Sequence, residues 1–74
     1  MQTETIGRRI RRLRKKKRMT QDKLAGKLYV SRATVSNWEH DNSLPDIMSV
    51  VRMSGLFNVS LDYLLIYNTD IKTL

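Results

Sequence analysis

Apolar residues return at helical spacing along most of this chain, in five blocks separated by short polar breaks. In the first block Ile6, Ile10 and Leu13 recur at i, i+4 and i+7, with Lys17 in the same phase. This pattern predicts a helix over residues 4–18, docked through those three apolar side chains. Thr20 is a good N-cap for a second helix, and Gln21 and Asp22 fill its first turn, where Asp22 suits the positive end of the dipole. Leu24, Ala25 and Leu28 form its inner face. Tyr29-Val30-Ser31 breaks the rhythm, and Ser31 caps a third helix, Arg32 to His40, with Val35 and Trp38 pointing inward. Asp41-Asn42-Ser43 is a turn cluster. Pro45-Asp46 opens a fourth helix, with proline where its missing N–H does no harm. Ile47, Val50, Val51, Ser54, Leu56 and Phe57 give that helix a broad apolar face, and Asn58 tolerates the left-handed conformation that ends many helices. Ser60 caps a fifth helix, with Asp62 in its first turn and Leu61, Leu64 and Leu65 inside. The expectation is an all-α domain of five helices over residues 1–65. A short extension, 66–74, follows; its Ile66, Tyr67, Ile71 and Leu74 make it a candidate interface.

Charge changes this picture in one place. The 74 residues carry 14 Lys and Arg against 7 Asp and Glu, a formal net charge of +7. Residues 8–18 hold nine of the basic side chains, so the remainder of the chain sums to −2. The basic character belongs to the first helix, on which Arg8, Arg11 and Lys15 are candidate partners for phosphate groups. With 41% apolar residues and no cysteine, the chain can build a small core, without disulfide or thiolate-metal support. No apolar run approaches the ~20 residues of a membrane span, and no h-region follows Arg8 and Arg9. The expected location is the cytoplasm, at the nucleoid.

The most informative unit is residues 21–40. Two short helices are joined by three residues, with apolar positions at 24, 28, 30, 35 and 38 and a small residue at 25. This spacing packs one helix tightly across the other and leaves the outer face of the second free to enter a major groove. Together with Leu13-Arg14, Met19-Thr20-Gln21, Leu44-Pro45-Asp46 and Val59-Ser60-Leu61-Asp62, the chain resembles the Cro/repressor-like (lambda-repressor-like, XRE) helix-turn-helix family of bacterial and phage transcription regulators. The resemblance covers roughly residues 6–65. It implies a compact five-helix fold whose second and third helices read DNA, and operator binding as a dimer. Relatives often carry glycine in the turn where this chain has Tyr29, and a positive φ there would cost ~1 kcal/mol. The family's usual Asn-Gly after the glutamate is His40-Asp41 here. The following loop holds Asp41 and Asp46 and no Lys or Arg.

Residue roles follow from spacing and resemblance together. Arg32, Ala33, Ser36 and Asn37 lie on the outer face of the third helix and are the candidate base contacts. Arg32 suits guanine, Asn37 adenine and Ala33 a thymine methyl. Gln21 matches the family glutamine that donates to a phosphate, and Thr34 is a further phosphate candidate. His40 is either a helix C-terminal cap or a phosphate contact. Trp38 is read as core. The resemblance also implies an ion pair between Arg14 and Glu39 that ties the first helix to the third, while the other basic side chains of the run face water. On that reading, losing Glu39 costs more stability than losing Glu4.

Catalysis finds no support. There is one histidine and no Ser/His/Asp set, phosphate-binding glycine loop or metal-ligand spacing. No cofactor, metal, small-molecule substrate or membrane partner is expected. Two functions stay open: a sequence-specific regulator that binds a double-stranded DNA operator, and a small phage-type modulator or antirepressor that docks on another repressor. The expected protein partner is a second copy or a co-encoded repressor.

Overall fold

The computed structural model describes residues 4–65. It contains α1 (Ile6–Lys16), α2 (Gln21–Leu28), α3 (Arg32–Glu39), α4 (Ile47–Phe57) and α5 (Leu61–Leu65). Each helix begins on a side chain that accepts from a backbone N–H three residues on. Thr5, Thr20 and Ser31 receive Arg8, Lys23 and Thr34 at 3.1 Å, Asp46 receives Ser49 at 3.2 Å and Ser60 receives Tyr63 at 3.0 Å. These bonds satisfy amides that the helices themselves leave open. The expected five-helix, all-α architecture is the observed one, and there is no strand among the described residues.

Ile10 and Leu13, Leu24, Ala25 and Leu28, Val35 and Trp38, Val50, Met53 and Phe57, and Leu64 form one buried core, so each helix contributes to it. Trp38 belongs there, as expected. Four expectations change. α1 is shorter than 4–18 at both ends, because Thr5 caps it and Arg18 turns left-handed at φ 58°. Pro45 precedes the N-cap Asp46 and is not the first helical residue. α4 faces the core with Ser49, Val50, Met53 and Phe57, while Ile47 and Val51 are 65% and 44% exposed. The capping geometry sets that phase: the Ser49 hydroxyl donates back to Asp46 at 2.7 Å and turns Ser49 inward. On α5 only Leu64 is buried, and Leu61 and Leu65 lie at the surface. The 66–74 extension lies outside the described residues.

Among the described residues the left-handed positions are Arg18, Tyr29, Asp41 and Asn58, none of them glycine. Tyr29 has φ 60° and ends α2, so the turn does use the conformation for which glycine is best suited. The glycine that geometry requires is Gly7. A methyl group there would come 2.0 Å from the Trp38 carbonyl oxygen and 2.6 Å from the Asp41 carboxylate. Backbone-to-backbone approach at this point lets α1 lie against the end of α3.

Candidate nucleic-acid interface

α2 and α3 form the helix-turn-helix pair. Val30 N–H reaches back to the Ala25 carbonyl at 3.1 Å, closing the turn through the left-handed Tyr29. Leu24, Ala25, Leu28, Val35 and Trp38 are all buried between the two helices and the remainder of the core. That burial fixes which side of α3 is left outside. Arg32, Ala33 and Asn37 are exposed on it, and Ser36 is half-buried. Ser36 lies within 3.4 Å of His40 Nδ1, which donates to the Ser36 carbonyl at 2.8 Å. A carbonyl can only accept, so this bond places the proton on Nδ1. His40 therefore serves as the C-terminal cap of α3, one of its two expected roles. Thr34 is half-buried, with its hydroxyl 2.9 Å from that of Ser31.

The hub of the interface is Glu39. Its carboxylate receives Arg14 Nε at 2.7 Å and Nη2 at 3.0 Å, and Gln21 Nε2 at 3.0 Å. Arg14 also donates to the Met19 carbonyl at 2.8 Å. Arg14 and Glu39 are 8% and 6% exposed, so the pair is buried and bidentate. Burial raises the Glu39 pKa, and donation by Arg14 and Gln21, aided by the nearby charges of Arg14 and Arg11, outweighs it and holds the carboxyl below its usual value. One carboxylate thus joins the end of α1, the start of α2 and the end of α3. Gln21 has a structural partner in addition to its expected part at a phosphate. Beside it lies a cleft of about 380 Å³ lined by Arg14, Thr20, Gln21, Asp22 and Arg32, at the N-terminus of α2.

Arg8, Arg11 and Lys15 are exposed and stand at i, i+3 and i+7, one stripe of α1. The expectation that every basic side chain but Arg14 faces water fails at Arg9, which is 1% exposed. Its Nε donates to Glu4 at 2.9 Å and its Nη1 to the Tyr63 carbonyl at 2.7 Å, and its guanidinium lies 5.2 Å from the Tyr63 ring centre. Arg12 donates to the other Glu4 oxygen at 2.6 Å and to the Tyr63 hydroxyl. Glu4 is therefore a structural carboxylate and not an ordinary surface acid. The signal was in the sequence: positions 6, 9, 10 and 13 complete the i, i+3, i+4, i+7 face.

The acidic loop after α3 is committed internally. Asp41 accepts from the Thr5 hydroxyl at 2.8 Å and the Gly7 amide at 3.1 Å, and Asp46 caps α4. Its acids hold helix starts in place.

A helical pair with one polar outer face, seated on a basic first helix, defines a DNA-binding helix-turn-helix class of fold. The comparisons agree. The helix-turn-helix family model matches residues 10–64, and the chain belongs to that XRE-type family. It is 39% identical over 61 residues to the HTH-type transcriptional regulator ImmR of Bacillus subtilis (82% of this chain, 48% of ImmR). It is 40% identical over 57 residues to the HTH-type transcriptional activator BcrR of Enterococcus faecalis (77% of this chain, 28% of BcrR). The chain thus spans about half the length of these curated relatives or less. Among solved structures it is similar to the P22 c2 repressor in complex with a synthetic operator. There the TM-score is 0.82 and the identity 33%, over 89% of this chain and 100% of that one. SinR in complex with DNA gives a TM-score of 0.73 and 31% identity, over 81% of this chain and 97% of that one.

Proposed function

We propose that this chain is a sequence-specific DNA-binding transcription regulator that reads the major groove of a double-stranded operator with α3. The observation that carries this reading is the exposed set Arg32, Ala33 and Asn37 on a helix whose far end is locked by the Arg14–Glu39–Gln21 hub. A rigid support matters because base contacts discriminate only when the donors are held in register with base edges. Arg32, Ala33, Ser36 and Asn37 take the base edges. Gln21, Thr34, Arg8, Arg11 and Lys15 take phosphates, while His40 keeps its capping role. The structures of the P22 c2 repressor and SinR on DNA support this by likeness. Two copies, or this chain with a co-encoded repressor, would read two half-sites about one helical turn apart. Such a regulator works in the cytoplasm, at the nucleoid.

The test is selection of bound duplexes from a random pool, followed by affinity measurement at two salt concentrations. Arg32→Ala and Asn37→Ala relax preference at single base pairs, by ~1–3 kcal/mol each. Arg8→Ala and Lys15→Ala weaken all sequences alike and each reduce the salt slope by about 0.9. If the two pairs of variants behaved identically, α3 would not be the reading element.

A further inference from the structure

The basic helix carries two separate cationic surfaces, and the reading above uses one. Lys16 and Lys17 fall outside the Arg8–Arg11–Lys15 stripe. They line a groove of about 480 Å³ with Leu13, Phe57, Asn58 and Val59, between the end of α1 and the turn from α4 to α5. The groove has an apolar floor: Leu13 and Phe57 belong to the core and Val59 packs against it. Its rim is cationic. Both lysines are exposed, neither has an ion-pair partner among the described residues, and no acid lines the groove. The wall is also fixed in place. Asn58 is left-handed, Val59 N–H donates to the Ser54 carbonyl at 3.1 Å, and the Ser54 hydroxyl donates to the Val59 carbonyl at 2.6 Å.

A phosphate backbone would match the lysines and leave the floor unmatched. An acidic polypeptide with an apolar side chain matches both, and the volume falls within the range of ordinary binding clefts. We propose that this groove docks an acidic segment of a partner protein, which seats one apolar side chain against Leu13, Phe57 and Val59 while its carboxylates meet Lys16 and Lys17. Exposed ion pairs alone hold little, so the apolar anchor supplies most of the affinity and the lysines select for acidic partners. The site shares no residue with the α3 face, so a partner here can engage the chain while α3 is occupied. The inference stands whether or not α3 reads DNA.

The test titrates the isotopically labelled full chain with a short peptide in which a leucine is flanked on both sides by glutamates. Saturable shifts are expected at the amides of Lys17, Asn58 and Val59. Replacing the leucine by serine should weaken binding about tenfold or more. Replacing the glutamates by glutamines should also weaken it. The Lys16→Gln/Lys17→Gln variant should weaken binding severalfold while keeping its melting temperature, since both side chains are exposed and no acid is placed at the C-terminal end of α1. Equal binding of the serine peptide, or unchanged binding by the variant, overturns the proposal. So does displacement of the peptide by random duplex DNA together with a salt slope about two units smaller in the variant, which would assign the groove to the nucleic-acid surface.

Discussion

Replacing Glu4 by alanine should damage this domain far more than loss of an ordinary surface acid, although less than replacing the more deeply buried Glu39. Glu4 stands beside Arg9, which is 1% exposed, and it holds Arg12 as well. Removing one partner of a buried ion pair costs ~3–5 kcal/mol. Glu4 itself is 25% exposed, so water replaces part of what the carboxylate supplied, and ~2 kcal/mol is a fair expectation. A chain of this length has a total stability of about 4–11 kcal/mol. The loss should lower the melting temperature by roughly 8–16 °C at neutral pH. Thermal unfolding followed by circular dichroism measures it, with the exposed Lys23→Ala as control, expected within about 0.5 kcal/mol of the parent. The double variant Glu4→Ala/Arg9→Met should recover at least half the loss, because it removes the buried charge together with its partner. A Glu4→Ala protein that melts with the parent, or a double variant worse than the single, would refute this account of Arg9.

The same carboxylate predicts an acid limb. Hydrogen bonding from Arg12, followed by that from Arg9, outweighs partial burial and lowers the Glu4 pKa from 4.5 to about 2. The folded state therefore binds fewer protons than the unfolded state between these values. Its contribution is fully present above pH 4.5 and is lost as pH falls toward 2. The full shift corresponds to about 3.4 kcal/mol, and screening at a site partly open to water reduces this to ~2 kcal/mol. Glu4→Ala should flatten the decline in stability across that window.

Two further outcomes test the backbone. Tyr29 is 81% exposed in a left-handed turn and has Arg52 5.1 Å from its ring centre. Tyr29→Gly should relieve ~1 kcal/mol of strain and lose ~0.5 kcal/mol of cation–π attraction, raising the melting temperature by a few degrees; a lower value would show that the turn is not strained. Gly7→Ala should destabilise by more than ~2 kcal/mol, because its methyl collides with the Trp38 carbonyl, while Gly26→Ala and Gly55→Ala, which meet open space, should each stabilise by up to ~1 kcal/mol in chemical denaturation. Equal effects at the three glycines would contradict the close approach of α1 and α3.

How much the sequence disclosed depends on how many apolar residues compete for a face. In α2 and α3 few do, so Leu24, Leu28, Val35 and Trp38 leave one solution, and it is the observed one. α4 has apolar residues almost all round, and periodicity alone assigned Ile47 and Val51 inward and overlooked Met53. The deciding information is the Asp46–Ser49 cap, a polar contact compatible with only one rotation of the helix. Leu61 and Leu65 escape the pattern for a different reason: a helix of five residues is too short for a period to discriminate its inner face. Arg9 completes the face of positions 6, 10 and 13, but a charge within a run of charges reads as solvated, so that signal is easily passed over. Arg14 was legible only because the family resemblance names its partner. Glu4 and Tyr63, the groups around Arg9, are 59 residues apart in the chain and carry no local pattern that joins them.

The proposed reading head is supported from outside the helix-turn-helix unit. The helix-turn-helix unit spans residues 21–40, yet the orientation of α3 is held largely from α1. Gly7 allows contact with the Trp38 carbonyl, the Gly7 amide donates to Asp41 just beyond α3, and Arg14 holds Glu39. Arg9, five residues before Arg14 and on the opposite flank of the Ile10–Leu13 stripe, anchors α1 in turn to α5 through Tyr63. α1 is therefore clamped on both flanks before it presents Arg8, Arg11 and Lys15 to solvent. A loose basic arm would offer phosphates the same charge at a greater cost in ordering entropy. Here the fold has already restricted the arm, and the side chains that restrict it are themselves basic. That explains why so many arginines occur in one short helix: two of them, buried and matched to Glu4 and Glu39, hold in register the surface that the exposed ones create.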